Sequence, residues 1–134
     1  MAVQSQPTLA PRTPPAEART RTTLRKDDDH ELVATWLAPG AGTGIFELRE
    51  SEAWIHLMRG EVVVDHWVRD DRGTWARSRM VMRPGDSARI HRGALLRIEA
   101  SSESSLVASY SPPLVGDAHP IDPVLAAALE RAER

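Results

Sequence analysis

Two glycine-bracketed blocks constrain this chain more than anything else in it. The first runs from Gly40 to Gly60 with the spacing G-x5-Phe46-x-Leu48-x4-Ala53-x6-G. The second, Gly85-Asp86-Ser87-Ala88-Arg89-Ile90-His91-Arg92-Gly93-Ala94-Leu95-Leu96, has the spacing G-x5-x-x-G-x2-Leu96. Within both, apolar residues alternate over runs too short for a helix, and the glycines supply the backbone freedom that tight turns need. Such a pattern predicts short antiparallel strands joined by turns.

The same pattern fills the chain from Glu31 onward. Strands are expected at Leu32 to Leu37, Ile45 to Leu48, Trp54 to Met58, Glu61 to Val68, Ala76 to Met82, Ala88 to Ile90, Leu95 to Glu99 and Leu106 to Tyr110. Between them lies turn chemistry: Pro39-Gly40, Arg59-Gly60, Asp70-Asp71-Arg72-Gly73, Pro84-Gly85-Asp86 and Ser101 to Ser105. About eight short strands at regular spacing predict an all-β jelly roll. The period then changes. Asp122 suits a helix cap, Pro123 its first position, and Val124, Leu125, Ala128 and Leu129 recur near helical spacing. A short C-terminal α-helix packed on the barrel rim is expected. At the other end, Pro7, Pro11, Pro14 and Pro15 stand among Ala, Thr, Ser and Gln, too little apolar area to offset ordering entropy. The predicted organisation is a flexible proline-rich tail over 1–19, a barrel over 20–115, and a C-terminal extension with its helix over 116–134.

With 134 residues, 41% of them apolar, and a formal net charge of −2, the chain suffices for one core. The near-neutral, mixed charge favours neither nucleic acid nor an anionic membrane as partner. No apolar run approaches the roughly 20 residues that span a bilayer, and the N-terminus lacks the pattern of a signal peptide, so a cytoplasmic location is expected. Without cysteine, disulfides, thiolate metal sites and cysteine nucleophiles are all excluded. Sixteen arginines stand against one lysine, a bias expected of a GC-rich bacterial genome rather than of a function.

The two spacings are those of the paired cupin motifs, and the chain resembles the thiol dioxygenase branch of the cupins, the bacterial cysteine dioxygenases. The resemblance covers roughly Arg21 to Pro113. It is carried by Trp36-Leu37-Ala38-Pro39-Gly40, by Met58-Arg59-Gly60-Glu61, and above all by Tyr110-Ser111-Pro112-Pro113-Leu114. It implies a cupin jelly-roll barrel, a double-stranded β-helix. In that family three histidines hold iron, and the matching positions here are Phe46, Leu48 and Leu96, with Ala53 at the neighbouring slot. Of the family's serine-histidine-tyrosine set, the positions here are Leu106, Ala108 and Tyr110, and Arg21 matches the arginine that grips the substrate carboxylate. Carbon side chains have no lone pair to offer a divalent metal, whereas non-haem iron needs imidazole or carboxylate. The resemblance thus implies the barrel and speaks against the dioxygenase reaction. No metal and no cofactor are expected at these slots.

Alternation along strands puts Phe46 and Leu48 on one face with Ile45 and Glu47 opposite, and Ala53, Ile55 and Leu57 on one face with Trp54, His56 and Met58 opposite. With Leu96, Ile98, Leu106 and Ala108 the interior becomes apolar. Either these side chains fill the barrel, or they line a dry pocket for an apolar ligand with Tyr110 as its polar group. The histidines His30, His56, His66, His91 and His119 show no local chelate spacing and read as surface or rim residues. Asp27-Asp28-Asp29 lacks the ligand spacing of a calcium loop and reads as a solvated turn. Trp54, Met58 and Trp67 are outward apolar groups, which need either a partner or a cover from an N-terminal strand and the final helix.

The favoured expectation is a metal-free cupin that binds a small apolar molecule through Phe46, Leu48, Ala53, Ile55, Leu96, Ile98, Ala108 and Arg21. In its stronger form it transforms that molecule as a cyclase or isomerase of specialised metabolism, with Tyr110 as the catalytic group. Two alternatives stay open. One is a non-catalytic interaction or regulatory cupin with a filled barrel, including a homodimer through the Trp54/His56 face. The other is an iron-dependent thiol dioxygenase with ligands relocated to His56, His66 or His91.

Overall fold

The computed structural model describes residues 18–114 and 119–131. These form two five-stranded sheets and one helix: β1 (Arg19–Lys26), β2 (Glu31–Leu37), β3 (Phe46–Glu47), β4 (Glu52–Arg59), β5 (Val62–Arg69), β6 (Trp75–Met82), β7 (Ser87–Ile90), β8 (Leu95–Ala100), β9 (Ser104–Ser111), β10 (His119–Pro120) and α1 (Pro123–Arg131). The first sheet has the order β1-β2-β9-β4-β7 and the second β10-β3-β8-β5-β6, with every paired strand antiparallel. Neighbours distant in sequence alternate between the sheets, the winding of a jelly roll.

The eight expected strands are all present, with shifted ends; β3 shrinks to two residues because the turns at Gly44 and Arg49 close in on it. Two elements lie outside the eight expected strands, the first being the N-terminal strand that was expected only as a cover. β1 consists of polar residues, Arg-Thr-Arg-Thr-Thr-Leu-Arg-Lys, and pairs along the whole of β2 as an exposed edge. Ala18, which composition placed in the tail, is buried and its carbonyl accepts the Ala38 N–H at 2.8 Å. Arg19, also placed in the tail, opens β1, and residues 1–17 of the predicted tail lie outside the described residues, as do 115–118 and 132–134. β10 is the second addition, a two-residue pairing of His119 and Pro120 with β3.

Inward side chains line up in rows across the sheets. In the first sheet Glu31, Tyr110, Ala53 and Ile90 stand side by side, then Val33, Ala108, Ile55 and Ala88. In the second, Phe46, Leu96 and His66 form one row, and Ile98 and Val64 the next. The apolar members of these rows form a single buried cluster between the sheets. Each fully buried aliphatic side chain contributes about 1.5–3 kcal/mol of transfer free energy, so this cluster holds the sheets together.

One end of the barrel is tied shut by backbone. Gly40 N–H donates to Ala100 O at 2.8 Å, Ala100 N–H to Ala41 O at 2.9 Å, and Ser101 N–H to Glu61 O at 2.9 Å. The buried Ser104 hydroxyl donates to Glu61 O and accepts from Glu61 N–H, both at 3.1 Å. Gly60, at φ +89°, lies so close to this turn that an added Cβ would sit on Glu103 O and Ser104 Oγ.

The helix does not sit on the rim. It lies on the outer face of the second sheet, where Leu129 joins Ile45, Trp67 and Leu95, flanked by Trp75, Ile121, Leu125 and Ala126. Asp122 caps it as expected, its Oδ1 accepting the Val124 N–H at 2.7 Å. The cover expected over the outward tryptophans is therefore divided. Trp67 is buried, whereas Trp54 and Met58 on the first sheet are 50% and 57% exposed. The reason is geometric: β1 extends that sheet in its own plane rather than lying across its face. No described helix is long and apolar enough to cross a membrane.

Candidate functional site at the barrel mouth

The end opposite the tied turns is open. A depression of about 570 Å³ lies there, rimmed by Lys26, Asp27, Asp28, Arg49, Glu50 and Ser51 and floored by Leu48, Pro112, Pro113 and Leu114. Local chemistry builds its walls. Asp27 Oδ1 accepts the N–H groups of Asp29 and His30 at 2.8 and 2.9 Å, making the β1–β2 turn an Asx turn, which accounts for the acidic run. Those two hydrogen bonds also lower the Asp27 pKa. Across the mouth, Ser51 Oγ donates to Pro112 O at 2.7 Å and fixes the segment after β9. Arg49 holds φ at +55°, a left-handed conformation that costs a non-glycine residue about 1–2 kcal/mol, and it turns the chain from β3 into this wall.

Leu48 is the hinge between mouth and interior: it lines the depression and belongs to the packed cluster. Phe46, Leu48, Ala53, Ile55, Leu96, Ile98 and Ala108, the residues expected to form a pocket, all join that cluster together with Tyr110. They pack on one another at depth, and the open volume lies above them. Tyr110 is 6% exposed, and burial, reinforced by the Glu31 carboxylate and opposed by Arg21, pushes its pKa up to about 12. At neutral pH it is an undissociated phenol, able to donate or accept a hydrogen bond.

Arg21 stands apart from the other expected pocket residues. It is exposed on β1, and its Nη2 lies 3.4 Å from Oε2 of Glu31. Glu31 itself was not foreseen. It is the first residue of β2, its side chain is only 4% exposed, and it is the cross-strand neighbour of Tyr110 in an inward-facing row of the first sheet. Thr23 Oγ1 donates to the same Oε2 at 3.4 Å, while Glu31 Oε1 is buried without a partner among the described residues.

The histidines divide. His56 is on the outer face, its Nδ1 2.8 Å from Ser87 Oγ, and His30 and His91 are exposed. His66, expected at the surface or rim, instead faces inward beside Leu96, with Nδ1 buried and unpartnered among the described residues. Burial, then the nearby His91, lower its pKa. The strand parity of Val62 and Val64 carries this signal, since a third alternate residue shares their face. The side chain of His119 lies outside the described residues.

The iron that the resemblance implies does not fit this donor set. Phe46, Leu48, Ala53 and Leu96 offer carbon alone, and no group of three or more His, Asp or Glu side chains among the described residues could hold a metal ion. Relocation to the histidines fails on geometry as well, because His56 and His66 lie on opposite faces of different sheets.

No protein-family model and no curated protein matches the chain. Solved structures do. It is similar to KdgF from a Halomonas species (16% identity, 73% of this chain and 82% of that one, TM-score 0.59). An RmlC-like cupin from Shewanella frigidimarina matches at 17% identity over 75% of this chain and 82% of that one, with TM-score 0.58. A recombinant oxalate oxidase in complex with glycolate matches at 22% identity over 96% of this chain and 73% of that one, with TM-score 0.66. At such identities the likeness speaks of architecture alone. The order of its strands and these neighbours together show that the chain has the cupin fold: an all-β jelly roll with one short C-terminal helix.

Proposed function

We propose that this chain is a metal-free, cysteine dioxygenase-like cupin that binds a small, mainly apolar molecule at the mouth of its barrel. One observation carries the reading: the open depression of about 570 Å³ reaches down to Leu48, a residue of the same cluster that holds the carbon-only slots Phe46, Ala53 and Leu96. A concave, largely apolar floor under a polar rim is the usual form of a small-molecule site. Of the two outcomes left open for the interior, close packing supports a filled barrel in depth, with ligand handling confined to the mouth. The Tyr110 phenol, undissociated at neutral pH, belongs to the packed cluster beneath the mouth and not to its lining. A cyclisation or isomerisation would then proceed by holding a reactive conformer, which needs no metal.

Elemental analysis and native mass spectrometry of protein purified without a metal-affinity tag test this. Metal far below one per chain with a co-purified organic mass is the expected result. Near-stoichiometric iron overturns it.

The uncovered Trp54 supports a second reading, self-association through the outer face of the first sheet. Trp54 is 50% exposed under the Arg89 guanidinium, 5.8 Å from its ring centroid, beside His56. Sedimentation of the wild type and of Trp54→Glu decides it: a dimer lost in the variant supports the reading, and a monomeric wild type removes it.

A further inference from the structure

The helix covers the second sheet, whereas the outer face of the first has no cover among the described residues. That face is not flat. Its middle strand, β9, presents only small side chains outward: Ser105, Val107 and Ser109. The flanking strands are bulkier. On β2, Trp36, Ala34 and Leu32 pair with those three positions in turn, and on β4, His56 and Trp54 pair with Val107 and Ser109. Met58 completes the second wall at the bulge between Leu57 and Arg59, beside Ser105. A groove therefore runs along β9, with Trp36 and Leu32 on one ridge and Met58 and Trp54 on the other. Trp54 and Met58 are 50% and 57% exposed, so the groove is open. The Trp36 Nε1–H donates to Glu103 Oε2 at 2.8 Å, which satisfies the polar edge of that ring within the chain.

We propose that this groove is the docking site of the chain's own proline-rich segment, Pro11-Arg12-Thr13-Pro14-Pro15, within the same molecule. Grooves walled by aromatic side chains receive proline-rich segments because a polyproline II helix has little conformational entropy left to lose on binding. Pro11-x-x-Pro14 matches the three-residue period of that helix, which puts both prolines on one of its faces. The lengths agree as well. Trp36 and Leu32 are four strand residues apart, about 13 Å, and Pro15 and Pro11 are four polyproline II residues apart, about 12 Å. The tether reaches. Ala18, whose carbonyl accepts the Ala38 N–H at 2.8 Å, stands at the Trp36 end of the groove. From β1 to β9 is two strand spacings, roughly 10 Å, and the step from Pro15 to Ala18 through Ala16 and Glu17 spans about that distance. This inference concerns a different surface from the mouth and does not depend on the small-molecule reading.

NMR of the tryptophan indole N–H groups tests it on the full chain, comparing wild type with the triple variant Pro11→Ser, Pro14→Ser, Pro15→Ser. The Trp54 and Trp36 signals are expected to differ between the two proteins, while that of Trp67, under the helix on the other sheet, stays in place. A synthetic peptide of residues 7–17, added to the variant at about 2 mM to match the effective concentration of a short tether, should return both signals to their wild-type positions. Adding Trp54→Ala to the variant should weaken the peptide at least about fivefold, read on the Trp36 signal. Identical Trp54 and Trp36 signals in wild type and triple variant overturn the inference, and so does a peptide that moves neither. A wild-type difference that fades on dilution from about 1 mM to about 20 μM also overturns it, because the occupant is then a second copy of the chain.

Discussion

Asp65→Asn is the sharpest test of how the helix and the second sheet are joined. Asp65 is fully buried on the outer face of β5 and gathers three arginines. Its Oδ1 accepts from Arg77 Nε and Nη2 at 3.3 and 3.0 Å and from Arg79 Nε at 2.8 Å. Its Oδ2 accepts from Arg79 Nη2 at 3.1 Å and Arg97 Nη2 at 2.8 Å. Arg97 continues to Glu130 on α1 at 3.1 Å and stacks 5.5 Å from the Trp67 ring centroid. Asparagine preserves the volume but replaces one acceptor with an NH₂ that meets guanidinium donors, and it removes the charge the arginines share. Breaking a buried ionic set from one side costs about 3–5 kcal/mol, a large part of a typical domain's stability of about 5–15 kcal/mol.

The pH dependence provides an independent reading. Burial alone would raise the Asp65 pKa, but the hydrogen bonds from Arg79, Arg97 and Arg77 outweigh it and bring it from 3.8 down to about 2. A carboxyl lowered on folding stabilises the native state above its unfolded pKa and loses that contribution as pH falls through the folded value. Roughly 2 kcal/mol should therefore vanish between about pH 4 and pH 2 in the wild type and be missing from the variant. Urea unfolding followed by tryptophan fluorescence suits the assay, because Trp67 and Trp75 border the cluster and urea does not screen charge. A loss below about 1 kcal/mol at neutral pH, or parallel acid limbs in the two proteins, refutes the reasoning.

Two further outcomes are expected. Phe46→His, Leu48→His and Leu96→His together should create a site for divalent zinc or cobalt, since Phe46 and Leu96 are direct cross-strand partners and Leu48 shares their cluster. A folded triple variant that binds neither ion in calorimetry would mean the slots do not converge. Gly60→Ala should cost about 3 kcal/mol or more, because φ is +89° and the new Cβ would also lie 2.7 Å from Ser104 Cα. An unaltered melting temperature would show that the turn at Gly60 is not tightly held.

What could be read in advance followed from apolar spacing. Phe46, Leu48, Ile55 and Leu96 are buried where alternation put them, and Asp122 starts the helix that its chemistry announces. The residues that escaped are those whose place depends on a distant neighbour. β1 has no apolar alternation, and all eight of its residues are exposed among the described residues; the backbone edge of β2 is what makes it a strand. Glu31 opens β2 like any surface glutamate, and its burial beside Tyr110 of β9 and against Arg21 and Thr23 of β1 depends on strand pairing that the local sequence does not announce. His66 could have been found by extending the parity of Val62 and Val64, but the adjacent Trp67 and Asp65 belong to the outer cluster and mask the alternation.

The stitched end of the barrel gives the molecule a direction. Gly60, Ser104 and the backbone pairs around Ala100 bind the turns there to one another, so a change in one propagates to its neighbours. At the mouth, the exposed Asp27 and Asp28 come from one turn and the exposed Arg49 and Glu50 from another. Redesign can therefore proceed from one pole: loop grafts or insertions at the mouth should reshape what the protein admits while the far pole keeps the two sheets in register.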